Sequence, residues 1–482
     1  MIRGLFSLYY PPRYGTIIAY MLQNTEYHVG PYLKWYWRTQ NFAKVIYRRE
    51  LNPTKAARLL RLALMAGMLL QIIAAFIVIG LWKAHDLAGG LYFGLALLVS
   101  YPVVWAHLIA VPLELGRIFI VKPKEAALIK QSETIFANHP GVKIAVAGSY
   151  GKTSMKELLL TVLSEGKKVA ATPANKNVSI SHALFARKLD GDEDILIIEY
   201  GEGEPGDVGR FAKITHPTHG IITGVAPAHL DQYKTLEAAG KDIFSLAEYV
   251  AGEQLYANGE SGALLPLADE LTDIKLYTAK GFAGWKVSNL QLTTTNTSFT
   301  LSKGKRALRL TSGLLGAHQI GPLSLAAVLG LEFGLTENEI IAGVAKTLPY
   351  EHRMQPRPLS GAWIIDDTYN GNIEGVRAGT ALLAALPAKR KLYVTPGLVD
   401  QGKETEAVHV EMGQLIAQAK PDMVILMKNS VTTYIQQGLE QAGYAGEIKL
   451  ENKPLEFYTN IDQFIAAGDL VLMQNDWTDN YA

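Results

Sequence analysis

The 482-residue chain has no cysteine. Disulfides, thiolate zinc sites, iron–sulfur clusters and cysteine nucleophiles are therefore excluded. Charged residues are sparse at 19%, against 49% apolar. These proportions exclude a largely disordered chain, and at ~150 residues per domain the length suggests about three domains. Repeats and low-complexity tracts are absent as well. Net charge is nearly absent, at +1, but the balance hides an asymmetry. Residues 1–61 carry ten Lys and Arg against only Glu26 and Glu50, a net of +8, which leaves −7 for the other 421 residues.

Two stretches lack formal charge altogether. Leu62–Trp82 runs for 21 residues, and Leu87–Leu113 for 27, broken only by His107, Pro102 and Pro112. Each is long enough to cross a ~30 Å hydrocarbon core as a helix. Helices buried in soluble domains rarely run so far without a charge on any face. Only Lys83-Ala84-His85-Asp86 separates the two, so residues 62–115 read as a transmembrane helical hairpin. Lys55, Arg58 and Arg61 precede it, and Arg117, Lys122 and Lys124 follow. The positive-inside rule then predicts two spans of a cytoplasmic membrane, with both termini and all soluble domains cytoplasmic. Pro11-Pro12-Arg13 interrupts any signal-peptide core near the start. Residues 1–61 also hold eight of the 23 tyrosines, with Trp35 and Trp37. Basic and aromatic residues beside a span suit the headgroup layer of an anionic leaflet, so membrane lipids, not nucleic acid, are the expected partner.

After about residue 120 the pattern changes. Short apolar runs alternate with helical patterns at Lys143–Val146, Ile195–Ile198, Gly220–Thr223, Trp363–Ile365, Leu392–Thr395, Met423–Met427 and Leu470–Met473. This predicts an α/β architecture of parallel sheets with helical crossovers. Lys286–Leu310 alternates apolar residues with Thr and Ser, which predicts an antiparallel patch. Arg353–Gly361, with Pro356 and Pro358, reads as a hinge between soluble domains at 116–352 and 353–482.

Val142–Ala147 reads as a strand, followed by Gly148-Ser149-Tyr150-Gly151-Lys152-Thr153-Ser154 and a helical pattern over Met155–Leu163. Strand, glycine loop and helix form the arrangement that phosphates need. Glycines turn backbone N–H groups toward the anion, and the helix N-terminus adds positive potential. Lys152 would reach the β- and γ-phosphates, and Thr153 would hold Mg²⁺. The full eight-residue phosphate-loop pattern is not met, because Val146 stands at its first glycine.

Asp194–Glu199 is an apolar strand that delivers a carboxylate at its C-terminal end, the edge where open α/β sheets bind ligands. Glu199 is thus a candidate second Mg²⁺ ligand. Gly220–Asp231 repeats the design with His229. Alone, that histidine would read as structural; beside the loop and Glu199 it reads as a metal ligand. Lys241 alone would be a solvated helix lysine. Gly201-Glu202-Gly203-Glu204-Pro205-Gly206 fits a dinucleotide fingerprint on paper. Two glutamates would repel a pyrophosphate and the proline removes a donor, so it reads as a turn.

Together these motifs resemble the Mur ligase family, ATP-dependent amide-forming ligases of cell-wall synthesis, over about residues 140–415. Gly148–Ser154 is similar to the family's Gly-Thr-Asn-Gly-Lys-Thr-Thr loop, and Thr172-Pro-Ala-Asn175-Lys-Asn177 to its asparagine-containing substrate loop. Glu199 and the Ala228-His229-Leu230-Asp231 run resemble its metal ligands. Lys241 falls where the family often carries a carbamylated lysine that orients a second Mg²⁺. Arg353 resembles the hinge arginine. Asp366-Asp367-Thr368-Tyr369-Asn370-Gly371-Asn372 resembles the motif that contacts nucleotide and incoming substrate. Gly397–Gly402 resembles a later loop.

The resemblance implies a phosphate-loop central domain and a Rossmann-like C-terminal domain behind the hairpin. It implies ATP and, with a carbamylated Lys241, two Mg²⁺. It assigns catalysis to Lys152, His229, Lys241 and Arg353, and nucleotide or substrate contacts to Asn175, Asn177, His318, Asp366, Tyr369, Asn370 and Asn372. The acceptor carboxylate would become an acyl phosphate, and an amino acid or D-alanyl-D-alanine would supply the amine. Two departures stand out. His318-Gln319-Ile320-Gly321-Pro322 replaces the family's His-Asn-x-x-Asn, and the UDP-sugar-binding N-terminal domain is replaced by the hairpin and basic head. The expected acceptor is therefore a peptidoglycan precursor held at the inner leaflet, lipid-linked or otherwise. A poly-γ-glutamate or capsule ligase and a non-catalytic nucleotide-binding membrane scaffold are the alternative readings. Oligomeric state is left open.

Overall fold

The structure, a computed structural model, describes residues 10–11, 13–25, 27–45, 54–85, 89–174, 176–226, 230–270, 273–369, 371–399 and 401–475. The chain forms two compact units, residues 1–127 and 128–482.

In the first unit, Lys55–His85 is one helix, and Gly90–Leu108 opens a second. The second continues through Ala110–Gly116 and a π-helical turn at Arg117–Val121. It thus outruns the apolar stretch that predicted it, because Pro102 and Pro112 do not end it. Both helices are long and apolar enough to cross a membrane. Small residues bring the pair close. A Cβ at Gly67 would collide with the Trp105 ring, and one at Gly94 would lie 3.1 Å from the Ala75 carbonyl. Gln71 donates to the Leu97 carbonyl at 3.1 Å, so its amide is satisfied inside the pair. Leu62, Leu69, Ile73, Phe76, Phe93, Val99 and Phe119 remain exposed. Two shorter helices, Tyr14–Asn24 and Val29–Arg38, pack aromatic residues onto the second long helix. Tyr14 donates to the Pro102 carbonyl at 3.0 Å and Tyr32 to that of Ala106 at 2.9 Å.

The second unit is built on three sheets. Strands β1 (Val142–Ala147), β2 (Val169–Ala171), β3 (Ile195–Glu199), β4 (His219–Ile222), β5 (Leu255–Asn258) and β6 (Lys275–Tyr277) form a parallel sheet in the order β2-β3-β1-β4-β5-β6. Its strands are apolar on both faces, as parallel strands covered by helices must be. Ile144, Val146, Ile195, Ile197 and Ile221 face one core with Leu158, Leu159 and Val162 of the helix Lys152–Leu163. Ala145, Ala147, Leu196, Ile198 and Ile222 face another with Phe136 and Phe211. Each fully buried Leu or Ile contributes roughly 1.5–3 kcal/mol, so both faces hold the sheet edge firmly.

A four-stranded antiparallel sheet follows: β7 (Gly281–Phe282), β8 (Trp285–Leu292), β9 (Thr297–Lys303) and β10 (Arg306–Ser312). The last sheet comprises β11 (Gln355–Leu359), β12 (Ala362–Asp367), β13 (Arg390–Thr395), β14 (Met423–Met427), β15 (Glu447–Glu451) and β16 (Asp469–Gln474), ordered β11-β12-β16-β13-β14-β15. All pairs in it are parallel except the edge pair β11–β12.

The segment expected as a hinge at 353–361 is mostly this edge strand. Pro356 and Pro358 alternate along β11 opposite Ile365 and Trp363. An edge strand tolerates proline because its outward side needs no donor. The bend lies just before it, where His352 and Met354 adopt left-handed backbone with φ of 58° and 47°.

Candidate active site

β1 ends in the glycine loop. Gly148 has φ 139°, and a Cβ there would collide with the Thr223 hydroxyl and lie 2.9 Å from the Gly224 carbonyl. Only glycine lets the chain turn so close to the loop after β4. Gly151 then caps the helix Lys152–Leu163 with left-handed backbone and no side-chain cap. The first-turn N–H groups of that helix are thus left facing the loop, as an anion site requires. The Ser149 hydroxyl is buried with no hydrogen-bond partner among the described residues.

The strand register brings the next groups in. Val146 pairs with Glu199 and Ala147 with Ile222, so the ends of β3 and β4 flank the loop. Thr153 Oγ1 donates to Glu199 Oε1 at 3.1 Å, and Asn177 Nδ2 to the same oxygen at 3.3 Å. Glu199 is 1% exposed, and its Oε2 is buried without a hydrogen-bond partner among the described residues. A buried carboxylate oxygen that accepts no hydrogen bond, with a hydroxyl on its sister oxygen, is a hard-oxygen set that fits Mg²⁺. Among the described residues no three His, Asp or Glu side chains converge as a cage. Magnesium in phosphate sites ordinarily takes one or two protein ligands plus phosphates and water, so Thr153 and Glu199 suffice.

Lys152 Nζ donates to the Gly148 carbonyl at 2.5 Å and to Glu202 Oε2 at 2.6 Å. One turn further on, the fully buried Lys156 donates to the carbonyls of Thr172 and Ala174 and lies 3.5 Å from Glu199 Oε2. It ties the 172–177 loop to the metal carboxylate.

Next to the phosphate loop opens a cleft of about 450 Å³. Tyr150, Gly151, Ser154, Asn258, Tyr277, His318 and Gln319 line one side, and Arg353, Asp367, Tyr369 and Asn372 the other. The Arg353 guanidinium lies 4.9 Å from the Tyr369 ring centre, which fixes it across the cleft mouth. His318 is exposed at the cleft rim, with its Nε2 2.9 Å from the Gln319 side-chain nitrogen.

Several expected site residues come together: Gly148 to Ser154, Asn177, Glu199, His318, Arg353, Tyr369 and Asn372. Asn372 also caps the helix Ile373–Ala385, accepting from Gly375 N–H at 2.9 Å. Asn175, His229 and Asn370 lie outside the described residues.

Two expected site residues stand apart from the others in this structure. Lys241 does not reach Thr153 and Glu199. On the helix Leu236–Phe244 the buried face holds Ala239, Gly240, Asp242, Ile243 and Phe244. That phase leaves the Lys241 side chain 62% exposed and paired with Glu237 at 2.6 Å. Asp366 does not face the cleft either. It accepts from Thr368 Oγ1 at 2.7 Å and pairs with His352 at 3.0 Å and Arg357 at 3.2 Å. Its neighbour Asp367 lines the cleft instead, since adjacent strand residues point to opposite faces. Asp367 went unremarked as a site residue although strand alternation could have flagged it. Glu202 reads from the sequence only as a turn residue hostile to a pyrophosphate, and no local signal marks it or Lys156 as part of the site.

A parallel sheet ending in a glycine phosphate loop, joined to an antiparallel patch and a second, mostly parallel sheet across a nucleotide-sized cleft, is the Mur ligase fold. Residues 146–330 match the Mur ligase middle domain. The chain is 28% identical over 359 residues to UDP-N-acetylmuramoyl-tripeptide–D-alanyl-D-alanine ligase of Escherichia coli, covering 71% of this chain and 75% of that one. The ligase of the same name from Mycobacterium leprae is 25% identical, covering 69% and 70%. Among solved structures, MurF ligase from Thermotoga maritima in complex with ADP superposes with a TM-score of 0.64 at 21% identity, covering 73% and 80%. MurF from Acinetobacter baumannii gives 0.63 at 17%, covering 73% and 77%.

Proposed function

We propose that this chain is an ATP-dependent ligase of peptidoglycan-precursor synthesis, working at the inner face of the cytoplasmic membrane. One observation carries the reading: Lys152, Thr153 and the buried Glu199 carboxylate converge at the sheet edge beside a cleft lined by Arg353 and Tyr369. A carboxylate and an amine do not condense unaided in water. The acceptor carboxylate attacks the γ-phosphorus of ATP, the bond to the bridging oxygen breaks, and ADP leaves. The amine then attacks the acyl carbon, the C–O bond to phosphate breaks, and phosphate and one proton are released.

Magnesium held by Thr153 and Glu199 supplies charge neutralisation when bound. The remaining work is positioning and electrostatics. Lys152 meets the transferring phosphoryl group, the loop N–H groups hold its neighbours, and Arg353 adds a cation from the opposite wall. His318 and the Gln319 amide offer the base hydrogen bonds in place of the family's asparagines.

For the acceptor, the relatives' names specify a UDP-linked tripeptide and D-alanyl-D-alanine. In this chain, two apolar helices and a basic aromatic head stand where a UDP-sugar domain would be. That substitution supports an acceptor presented at the membrane, with its polyprenyl or other lipid carrier in the leaflet. The test offers the full chain ATP, Mg²⁺, D-alanyl-D-alanine or single amino acids, and either the soluble UDP-linked precursor or its lipid-linked counterpart. A mass shift of one amide-linked residue on the lipid-linked acceptor, with ADP released, supports the proposal. Exclusive use of the soluble form overturns the membrane part, and no product with either overturns the whole.

A further inference from the structure

The turn Gly201–Gly206 plays no part in the function proposed so far, yet it reaches the phosphate loop. Its Glu202 carboxylate is buried and pairs with Lys152 at 2.6 Å. The turn presenting it is braced. Gly203 and Glu204 N–H donate to Asp207 Oδ2 at 3.1 and 2.9 Å, and Gly206 N–H donates to Asp242 Oδ1 at 2.7 Å. Tyr233 donates to the Glu204 carbonyl at 3.1 Å and to Asp242 Oδ2 at 2.8 Å. The carboxylate is therefore held at Lys152, the phosphate-loop cation. Glu199 stands three residues earlier at the same sheet edge, so two buried carboxylates flank the loop.

We infer that Glu202 is a specificity residue that makes the site take the magnesium complex of the nucleotide and refuse the free polyanion. The inference rests on the nucleotide site proposed above. A metal-free nucleotide must strip Lys152 from Glu202 and then lie beside that carboxylate, left without its cation, and beside Glu199, which shares Lys156. Both steps cost binding energy. A nucleotide arriving with a divalent cation brings the positive charge that those carboxylates favour, so displacing Glu202 from Lys152 is offset.

The test is calorimetric titration of the full-length chain in detergent with ADP, in Mg²⁺ and in EDTA, for native protein, Glu202→Gln, Glu202→Ala and Glu204→Gln. Glu204 is exposed on the same turn and controls for general charge. In EDTA, both Glu202 variants should bind ADP about tenfold tighter than native, the size of one charge-assisted hydrogen bond removed from the competing state. In Mg²⁺ their affinities should stay within about threefold of native, and Glu204→Gln should change neither. A structural role alone would not move the ratio between the two conditions. Glutamine preserves shape and hydrogen bonding, so that variant remains informative if alanine unfolds the turn. Unchanged or weaker metal-free binding in Glu202→Gln overturns the inference while leaving the nucleotide site standing. Failure of native protein to bind ADP with Mg²⁺ overturns both.

Discussion

Replacing Lys156 with methionine should destabilise the catalytic unit more than any other single charge removal around the phosphate loop. Methionine matches the stem but removes the ammonium. The side chain is 0% exposed, donates to the Thr172 carbonyl at 2.9 Å and to the Ala174 carbonyl, and lies 3.5 Å from Glu199 Oε2. Each charge-assisted hydrogen bond is worth ~1.5–3 kcal/mol, and breaking a buried pair from one side costs ~3–5 kcal/mol. Glu199 keeps its contacts with Thr153 and Asn177, which favours the lower end, about 3 kcal/mol. At ~2.1 cal/mol/K per residue, residues 128–482 have an unfolding entropy of about 0.75 kcal/mol/K, so the melting transition should fall by about 4 °C. Scanning calorimetry of native, Lys156→Met, Glu199→Gln and the double variant measures it. The double variant should be less destabilised than the two singles combined, by at least about 1 kcal/mol, because the cation and carboxylate share one network. A drop under about 2 °C, or strict additivity, would refute the reasoning that Lys156 braces Glu199.

Three further outcomes follow from the geometry. Gly148→Ala places a methyl group against the Thr223 hydroxyl at φ 139°, so nucleotide binding should be lost along with at least ~2 kcal/mol of stability; native-like titration heat would contradict this. Thr153→Val removes the hydroxyl shared with Glu199 at 3.1 Å, and affinity for ADP with Mg²⁺ should fall about tenfold while Thr153→Ser restores it; a valine variant that binds like native would count against the metal assignment. Burial raises the Asp367 carboxyl from 3.8 to about 7, against hydrogen bonds from Gln474 and the Met354 N–H that favour the charged form. The folded state then keeps a proton that the unfolded chain has lost, so stability falls as pH rises from 3.8 to about 7 and levels off above. Asp367→Asn should remove that slope in melting curves taken across the range, and an unchanged slope would assign it elsewhere.

The sequence made the buried parallel strands easy to read. Ile195–Ile198 and Met423–Met427 are covered on both faces, so their apolar runs are continuous. β15, Glu-Ile-Lys-Leu-Glu at a sheet edge, carries charges that hide it. β11 read as a linker because its prolines are tolerated only by an edge. The phosphate loop was legible because strand, glycines, lysine and helix are consecutive. The direction of Lys241 is not legible in the sequence, because the motif fixes a position in the chain, whereas helical phase decides which way the side chain points. Gly201–Gly206 was rightly read as a turn. That its Glu202 meets Lys152, fifty residues earlier, depends on how β3 and β1 align.

The central claim is that this site drives transfer of the γ-phosphoryl group to an acceptor carboxylate. It is tested most directly by supplying the accepted substrate with ¹⁸O in that carboxylate and analysing the inorganic phosphate after one turnover. The released phosphate should carry one ¹⁸O atom, dependent on the amine and abolished by Lys152→Ala. Released phosphate free of label, with amide product still formed, would contradict it.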